Sequence, residues 1–234
     1  MRIRAVEKLK PGDVVARSVV DSKGQVLLHA GVALTQRYIS ALAAKGFGAI
    51  YVKDPECPVD VVPEEDLSPA LRAKATRSLK QVFDVVGAHV GALRQRSFNE
   101  LKKACVSDEM RALTGRDGPL ANIQEVVGDV ISECLSRNTL AGLVSIRSAD
   151  DALFAHSLDV CVVALMIARA AGESNLRLRQ LATGCLLHDL GKVFLDPKER
   201  ETTRIRQHTT LGFELLRNGY DPDILAPHVA LEHH

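Results

Sequence analysis

The stretch Leu186-Leu187-His188-Asp189-Leu190-Gly191-Lys192 constrains the chain more than any other. An apolar run delivers a His and an Asp side by side. A Gly then interrupts the run and a Lys follows at once. Asp and Lys are seldom buried unless they are paired or hold a metal. Next to so hydrophobic a stretch, they predict a buried carboxylate with a partner. We read that partner as a metal centre and the surrounding helices as its support.

The histidines favour this reading. Of eight, six follow residue 150: His156, His188, His208, His228, His233 and His234. Neutral imidazole is the commonest metal ligand, and a carboxylate beside it suits Fe, Mn, Zn or Co. Adjacent helical residues diverge by about 100°. His188 is therefore expected to bind from one side while Asp189 reaches across, bridging two metals. His156 would come from the preceding helix and the later histidines from the following ones. Two bridged metals can generate hydroxide near neutral pH and clamp a phosphate oxygen. Lys192 would stabilise charge on that phosphate or protonate a leaving oxygen. A His-Asp dipeptide alone is an ordinary helix end; an ordered series on separate helices is not. His29 and His89 lack such company and read as structural or surface residues, and His228, after Pro227, as a cap or surface residue. Leu231-Glu232-His233-His234 also has the form of a purification-tag remnant, but Val229-Ala230-Leu231 leads into it in helical register, which favours native origin.

Composition narrows the function classes. The 234 residues, 46% apolar and 25% charged, suffice for one large domain or two smaller ones. Thirty basic and 29 acidic residues leave a net charge of +1, so no global field favours nucleic acid or a membrane surface. Aromatics make up 4% with no Trp, which argues against stacking platforms for single strands. Cys57, Cys105, Cys134, Cys161 and Cys185 are odd in number and never in a Cys-x-x-Cys pair. They read as buried thiols in a reducing compartment rather than disulfides or a zinc site. No run approaches the roughly 18 apolar residues of a membrane span. Met1-Arg2-Ile3-Arg4 lacks a signal-peptide core, so a cytoplasmic protein is the expectation.

In order, residues 1–53 read as a small α+β unit. Ile3 to Val6, Asp13 to Val20 and Gln25 to His29 are predicted strands, separated by Pro11-Gly12 and Ser22-Lys23-Gly24. Thr35 caps a helix to Lys45 with Ile39 and Leu42 inward; Gly46 ends it and Ala49 to Lys53 closes the unit. Residues 54–67 are a linker stiffened by Pro55, Pro58 and Pro63. Ser68 and Pro69 open a long helix with Leu71, Ala75, Leu79, Val82, Val86 and Val90 on one stripe, a packing or homodimer-forming element. Residues 68–119 thus read as connecting helices, the part from 98 to 118 less periodic and Gly115 to Pro119 a loop. A helix covers Leu120 to Arg137 with Ile123, Val126, Val127, Val130, Ile131 and Leu135 apolar. Another starts at Asp150 or Asp151, carries His156, and buries Leu153, Phe154, Val160, Ala164, Leu165 and Ala168. Gly172 ends it, and Ser174 caps the helix that climbs to His188-Asp189. A shorter helix holds His208 near its start, Asn218 to Pro222 is a turn, and a last helix begins near Asp223.

At these residues the chain resembles the HD superfamily of metal-dependent phosphohydrolases, and within it the HD-GYP family. The likeness covers residues 120–234 and rests on four blocks in the family's order. They are Phe154-Ala155-His156-Ser157-Leu158-Asp159-Val160, Leu187-His188-Asp189-Leu190-Gly191-Lys192-Val193, Gln207-His208-Thr209-Thr210-Leu211-Gly212 and Ala230-Leu231-Glu232-His233-His234. Lys10-Pro11-Gly12-Asp13-Val14 and Leu34-Thr35-Gln36-Arg37-Tyr38-Ile39 resemble the small domain that often precedes such domains.

The resemblance implies an all-helical domain after the small α+β one. It implies two or three divalent metals, Fe or Mn above Zn, Ni or Co. His156, His188, Asp189, His208, His233 and His234 match its metal ligands, and Lys192 matches its substrate-phosphate lysine. It further implies hydrolysis of the bacterial second messenger cyclic di-GMP to pGpG or GMP, and proteins with a diguanylate-cyclase domain as partners. Three departures stand out. Ala152 occupies the place of a Glu that supplies a third metal in some members, so two metals are expected. Val193 to Gln207 is shorter than usual. The Gly-Tyr-Pro loop and a later ligand Asp do not follow His234. They make a degenerate or truncated module, binding nucleotide or a partner protein without turnover, the alternative expectation. A third is an HD phosphohydrolase for another nucleotide, against which the His208 block and the His233-His234 pair argue.

Overall fold

The computed structural model describes residues 1–21, 25–54, 56, 67–115, 118, 120–136, 152–196, 198, 201–220 and 225–234. Ser22-Lys23-Gly24, almost all of the linker, Cys57, Asp150 and Asp151 lie outside those residues. The chain divides into two compact units, one formed by Met1–Ala73 with Thr139–His156 and the other by Lys74–Asn138 with Ser157–His234. A small β-rich region is followed by a largely helical domain, the architecture expected from the sequence.

In the N-terminal region β1 (Arg2–Ala5) pairs antiparallel with β4 (Ala49–Val52), and β2 (Val19–Val20) with β3 (Val26–Leu28). Only part of the predicted Asp13 to Val20 strand is regular; Val14 and Val15 make isolated bridges to Ala33 and Val52. Gly12, at φ 95°, lets the chain turn before them. Helix α1 (Gln36–Ala44) starts where the Thr35 hydroxyl accepts the Tyr38 amide at 3.3 Å. It ends at Gly46, whose φ of 73° no β-branched residue would tolerate. Ile39 and Leu42 close over Val15, Ile50 and Val52 to form this unit's core.

The long helix α2 (Pro69–Val90) begins at Ser68, whose hydroxyl accepts the Leu71 amide. Its six predicted stripe residues are all buried. The segment expected to be less regular holds two short helices, α3 (Phe98–Cys105) and α4 (Asp108–Thr114). Ser97 with Glu100 forms a capping box for the first, and Ser107 caps the second. Helix α5 (Ala121–Ser136) buries Ile123, Val126, Val127, Val130 and Ile131 as expected, with Cys134 rather than Leu135 completing the face.

Helix α6 (Ala152–Ala170) corrects two expectations. By length and composition it could cross a membrane, although no such run was expected. It nevertheless buries Phe154, Ala155, Leu158, Cys161, Val162, Leu165 and Ala168 inside the protein, as a core helix does. That face replaces the predicted one, in which Leu153, Val160 and Ala164 were assigned to the core; they are only partly buried. A helix apolar nearly all round carries little phase information.

Helix α7 (Asn175–Leu187), capped by Ser174, packs on α5 and α9 (Leu225–Glu232), and α9 also packs on α8 (Thr202–Leu215). His208 lies in the middle of α8, not near its start. Asn218 to Tyr220 belong to a π-helical extension, Leu216–Tyr220, rather than to a simple turn. Cys105, Cys134, Cys161 and Cys185 are buried thiols outside any disulfide among the described residues, as expected in apolar surroundings.

Candidate metal centre

Local backbone geometry places the central residues. His188 is still helical at the end of α7, but Asp189 leaves the helix at φ −94°, ψ 5°. The chain then tightens into a 3₁₀ turn, Leu190–Phe194, with the Lys192 amide donating to the Asp189 carbonyl at 2.9 Å. Two glycine contacts bring other helices onto this turn. A Cβ on Gly191 would run into the His208 carbonyl and lie 2.6 Å from the Gly212 amide nitrogen, so only Gly lets α8 cross here. A Cβ on Gly184 would lie 2.8 Å from the Val229 Cβ, so Gly184 likewise admits α9. These crossings deliver His208 and His233 to Asp189. The sequence reading ended helices with glycine and took no account of close approach.

The Asp189 carboxylate is 1% exposed, His188 2% and His208 0%. Oδ2 lies 3.3 Å from His188 Nε2 and accepts from Lys192 Nζ at 2.7 Å. Oδ1 lies 3.2 Å from His208 Nε2 and 3.5 Å from His233 Nε2. One carboxylate oxygen thus faces each side of the site. Ligand atoms of His156, His188 and Asp189 lie within 4.8 Å of one another, and so do those of His208, His233 and His234. His156 sits on α6 beside the division between the two units, one residue before Ser157, and is exposed. All six predicted ligands therefore fall in two groups, each able to hold a divalent metal. His228 joins neither; it pairs with Glu232 at 3.2 Å and meets Phe213 edge-on.

The hydrogen bonds orient the rings. His188 Nδ1 meets the Cys185 carbonyl at 2.7 Å, His208 Nδ1 the Ile205 carbonyl, and His233 Nδ1 the Ala230 carbonyl at 3.0 Å. A carbonyl only accepts, so each Nδ1 must donate. The remaining ring nitrogen, Nε2, then points toward Asp189, as in metal sites whose ligands are held from behind. His208 and His233 bring their Nε2 atoms to 3.1 Å of each other. Two acceptors that close need a proton or a cation between them.

Asp189 Oδ1 is buried without a hydrogen bond of acceptable geometry, despite its nearby imidazoles. An orphaned buried carboxylate oxygen among imidazole nitrogens fits a bound cation. Burial alone would push the Asp189 carboxyl up, but the imidazoles of His188 and His208 and the Lys192 ammonium hold it far below the ordinary carboxylate range. It is ionised at neutral pH. Burial, and then the neighbouring His188, push the His233 imidazole down to about 4. His234 is also lowered, by burial and then by His208. His233 and His234 are therefore neutral near pH 7, with lone pairs to offer.

A buried carboxylate between two imidazole groups on a helical scaffold defines a metal-binding helical domain. Residues 153–234, the part that carries all these side chains, match the family described as HD domain. The chain is also 27% identical over 143 residues to a cyclic di-GMP phosphodiesterase of Pseudomonas aeruginosa. That match covers 57% of this chain and 34% of the relative, so the chain spans about a third of that protein's length. No solved structure matches. The C-terminal part is thus an HD-type domain, distantly homologous to a cyclic di-GMP phosphodiesterase.

Proposed function

We propose that the chain is a metal-dependent phosphodiesterase of the HD-GYP type that hydrolyses cyclic di-GMP. His156, His188 and Asp189 would hold one metal, and His208, His233, His234 and the other oxygen of Asp189 a second, with Fe or Mn the first candidates. Bound metals would supply Lewis acidity toward a phosphate oxygen and water activation. Asp189 bridges the two groups and keeps their spacing. The backbone carbonyls behind His188, His208 and His233 hold the rings in place. Lys192, whose side chain is about a third exposed, contacts the buried Asp189 through its ammonium. In this reading it would meet a phosphate and stabilise its charge. The observation that carries the reading is the buried, orphaned Oδ1 of Asp189 between imidazoles. The similarity to the Pseudomonas enzyme supports the choice of substrate.

The test is metal analysis of protein purified with Mn or Fe, paired with chromatography of cyclic di-GMP incubated with it. Two metals per chain and appearance of pGpG or GMP support the proposal. Turnover of other nucleotides but not cyclic di-GMP would redirect it to a different HD phosphohydrolase. Nucleotide binding without turnover would point to a signalling module.

A further inference from the structure

The Lys192 turn is tied through its backbone to a distant arginine. Arg94 follows the short 3₁₀ turn Gly91–Leu93 that continues α2. Its Nε–H donates to the carbonyl of Val193, the residue after Lys192, at 3.0 Å. Its own carbonyl accepts from the Arg204 guanidinium at 2.8 Å. Arg204 lies one helical turn before His208 on α8 and shares its face. The Cβ position of Gly87 on α2 is 3.8 Å from the Arg94 guanidinium and 3.9 Å from the Val193 Cβ, so α2 reaches the same turn in ordinary contact. One arginine therefore connects three segments: the end of α2, the turn that carries Asp189 and Lys192, and the helix that carries His208. A surface arginine would be expected to place its guanidinium in water. Arg94, half-buried, instead spends its Nε–H on the backbone of the lysine turn.

We propose that Arg94 is a positioning residue for Lys192. By holding the Val193 carbonyl, and being held by Arg204, it fixes the turn so that the Lys192 ammonium meets a phosphate at the metal centre. This rests on the reading of Lys192 as the phosphate lysine. Arg94 itself touches no ligand group and acts through the turn.

A double-mutant cycle on binding of inorganic phosphate to the Mn-loaded chain tests this without requiring turnover. Phosphate affinity is measured by calorimetry for the parent chain, Arg94→Ala, Lys192→Ala and the double variant, with Mn stoichiometry checked in each. Lys192→Ala should weaken phosphate binding. Arg94→Ala should weaken it about tenfold when Lys192 is present and have no further effect in the Lys192→Ala background, a coupling in the range seen for residues that act through one element. Arg94→Lys keeps a donor for the Val193 carbonyl and should recover most of the loss. Equal losses with and without Lys192, or no loss at all, would overturn the proposal while leaving the phosphate role of Lys192 intact. If Lys192→Ala itself leaves phosphate binding unchanged, the functional reading of the lysine fails, and the positioning role with it. If Arg94→Ala and Arg94→Lys both lose Mn, Arg94 is a structural residue and the inference is wrong.

Discussion

Two aspartates in this chain meet cations in opposite ways. In the N-terminal unit Asp13 accepts from the Arg4 guanidinium through Oδ1 and from the Lys10 amide, at 2.8 Å, through Oδ2. Both its oxygens are satisfied, and although burial works the other way, Arg4 and Lys10 hold its carboxyl below the ordinary range. In the helical unit Asp189 is buried more deeply, has imidazoles on both sides, and keeps one oxygen without a hydrogen bond. Both carboxylates are stabilised in the charged form. Only the second is left with coordination capacity, and a protein maintains an unsatisfied buried oxygen at a cost of about 1–3 kcal/mol. A lowered carboxylate therefore does not mark a functional site; an incomplete shell around one does.

Substituting each aspartate should separate the two roles. Asp189→Ala should remove metal binding altogether with modest loss of fold, read by metal analysis and circular dichroism. Asp13→Ala should leave metal content unchanged and cost about 2 kcal/mol in denaturant unfolding, the scale of hydrogen bonds to a charged group. Full metal content in the Asp189 variant would remove the distinction.

Next in size is the backbone crossing that makes the Asp189 shell. Gly191→Ala would force α8 away from the turn and should cost more than about 4 kcal/mol, or prevent folding, because backbone rather than a flexible side chain blocks the new methyl. Leu186→Ala, fully buried one turn earlier, should cost about 2–5 kcal/mol through lost packing. It should retain metal stoichiometry when folded. A stable, metal-loaded Gly191→Ala protein would show that the crossing is not what positions His208.

How much of this could be read beforehand differs by element. The α2 stripe was fully legible because polar residues alternate with it and set its phase. The α6 face was not, since apolar residues surround the helix and several phases fit equally well. The caps of α1, α2 and α7 were visible in Thr35, Ser68 and Ser174, whereas those of α3 and α4, in Ser97 and Ser107, were present in the sequence but outweighed by weak periodicity. All six predicted histidine and aspartate ligands stood out as an ordered series on separate helices around one His-Asp pair beside an apolar run. Their arrangement did not, since it depends on Gly184 and Gly191 admitting neighbouring helices, and a glycine in a helix looks the same whether it breaks or crosses. Arg94 gave no signal, because a hydrogen bond from one side chain to a distant carbonyl leaves no pattern along the chain.

The smallest expected effect is a slope in stability with pH, and it distinguishes the two carboxylate environments once metal is removed. The His233 imidazole is pushed down to about 4 from its ordinary 6.5. Between those values the unfolded chain binds a proton that the folded chain does not, so stability of the metal-free protein should fall as pH is lowered from 6.5 to about 4 and level off below. Both aspartates are lowered, so their contributions are present above the ordinary carboxylate pKa of 3.8 and are lost only as pH falls further. Denaturant unfolding in a chelator across pH 7 to 3 should therefore show two arms. His233→Gln should flatten the upper arm, to which the lowered His234 adds a remaining part, and leave the lower one. Asp13→Ala should trim the lower arm and leave the upper. The slope should be gentle, because the ring is partly exposed and its neighbours titrate with it. A chain whose stability is flat from pH 6.5 to 4, or a His233→Gln variant with the parent's slope, would mean that His233 does not face Asp189 as a neutral ring, and the second metal group would lose a member.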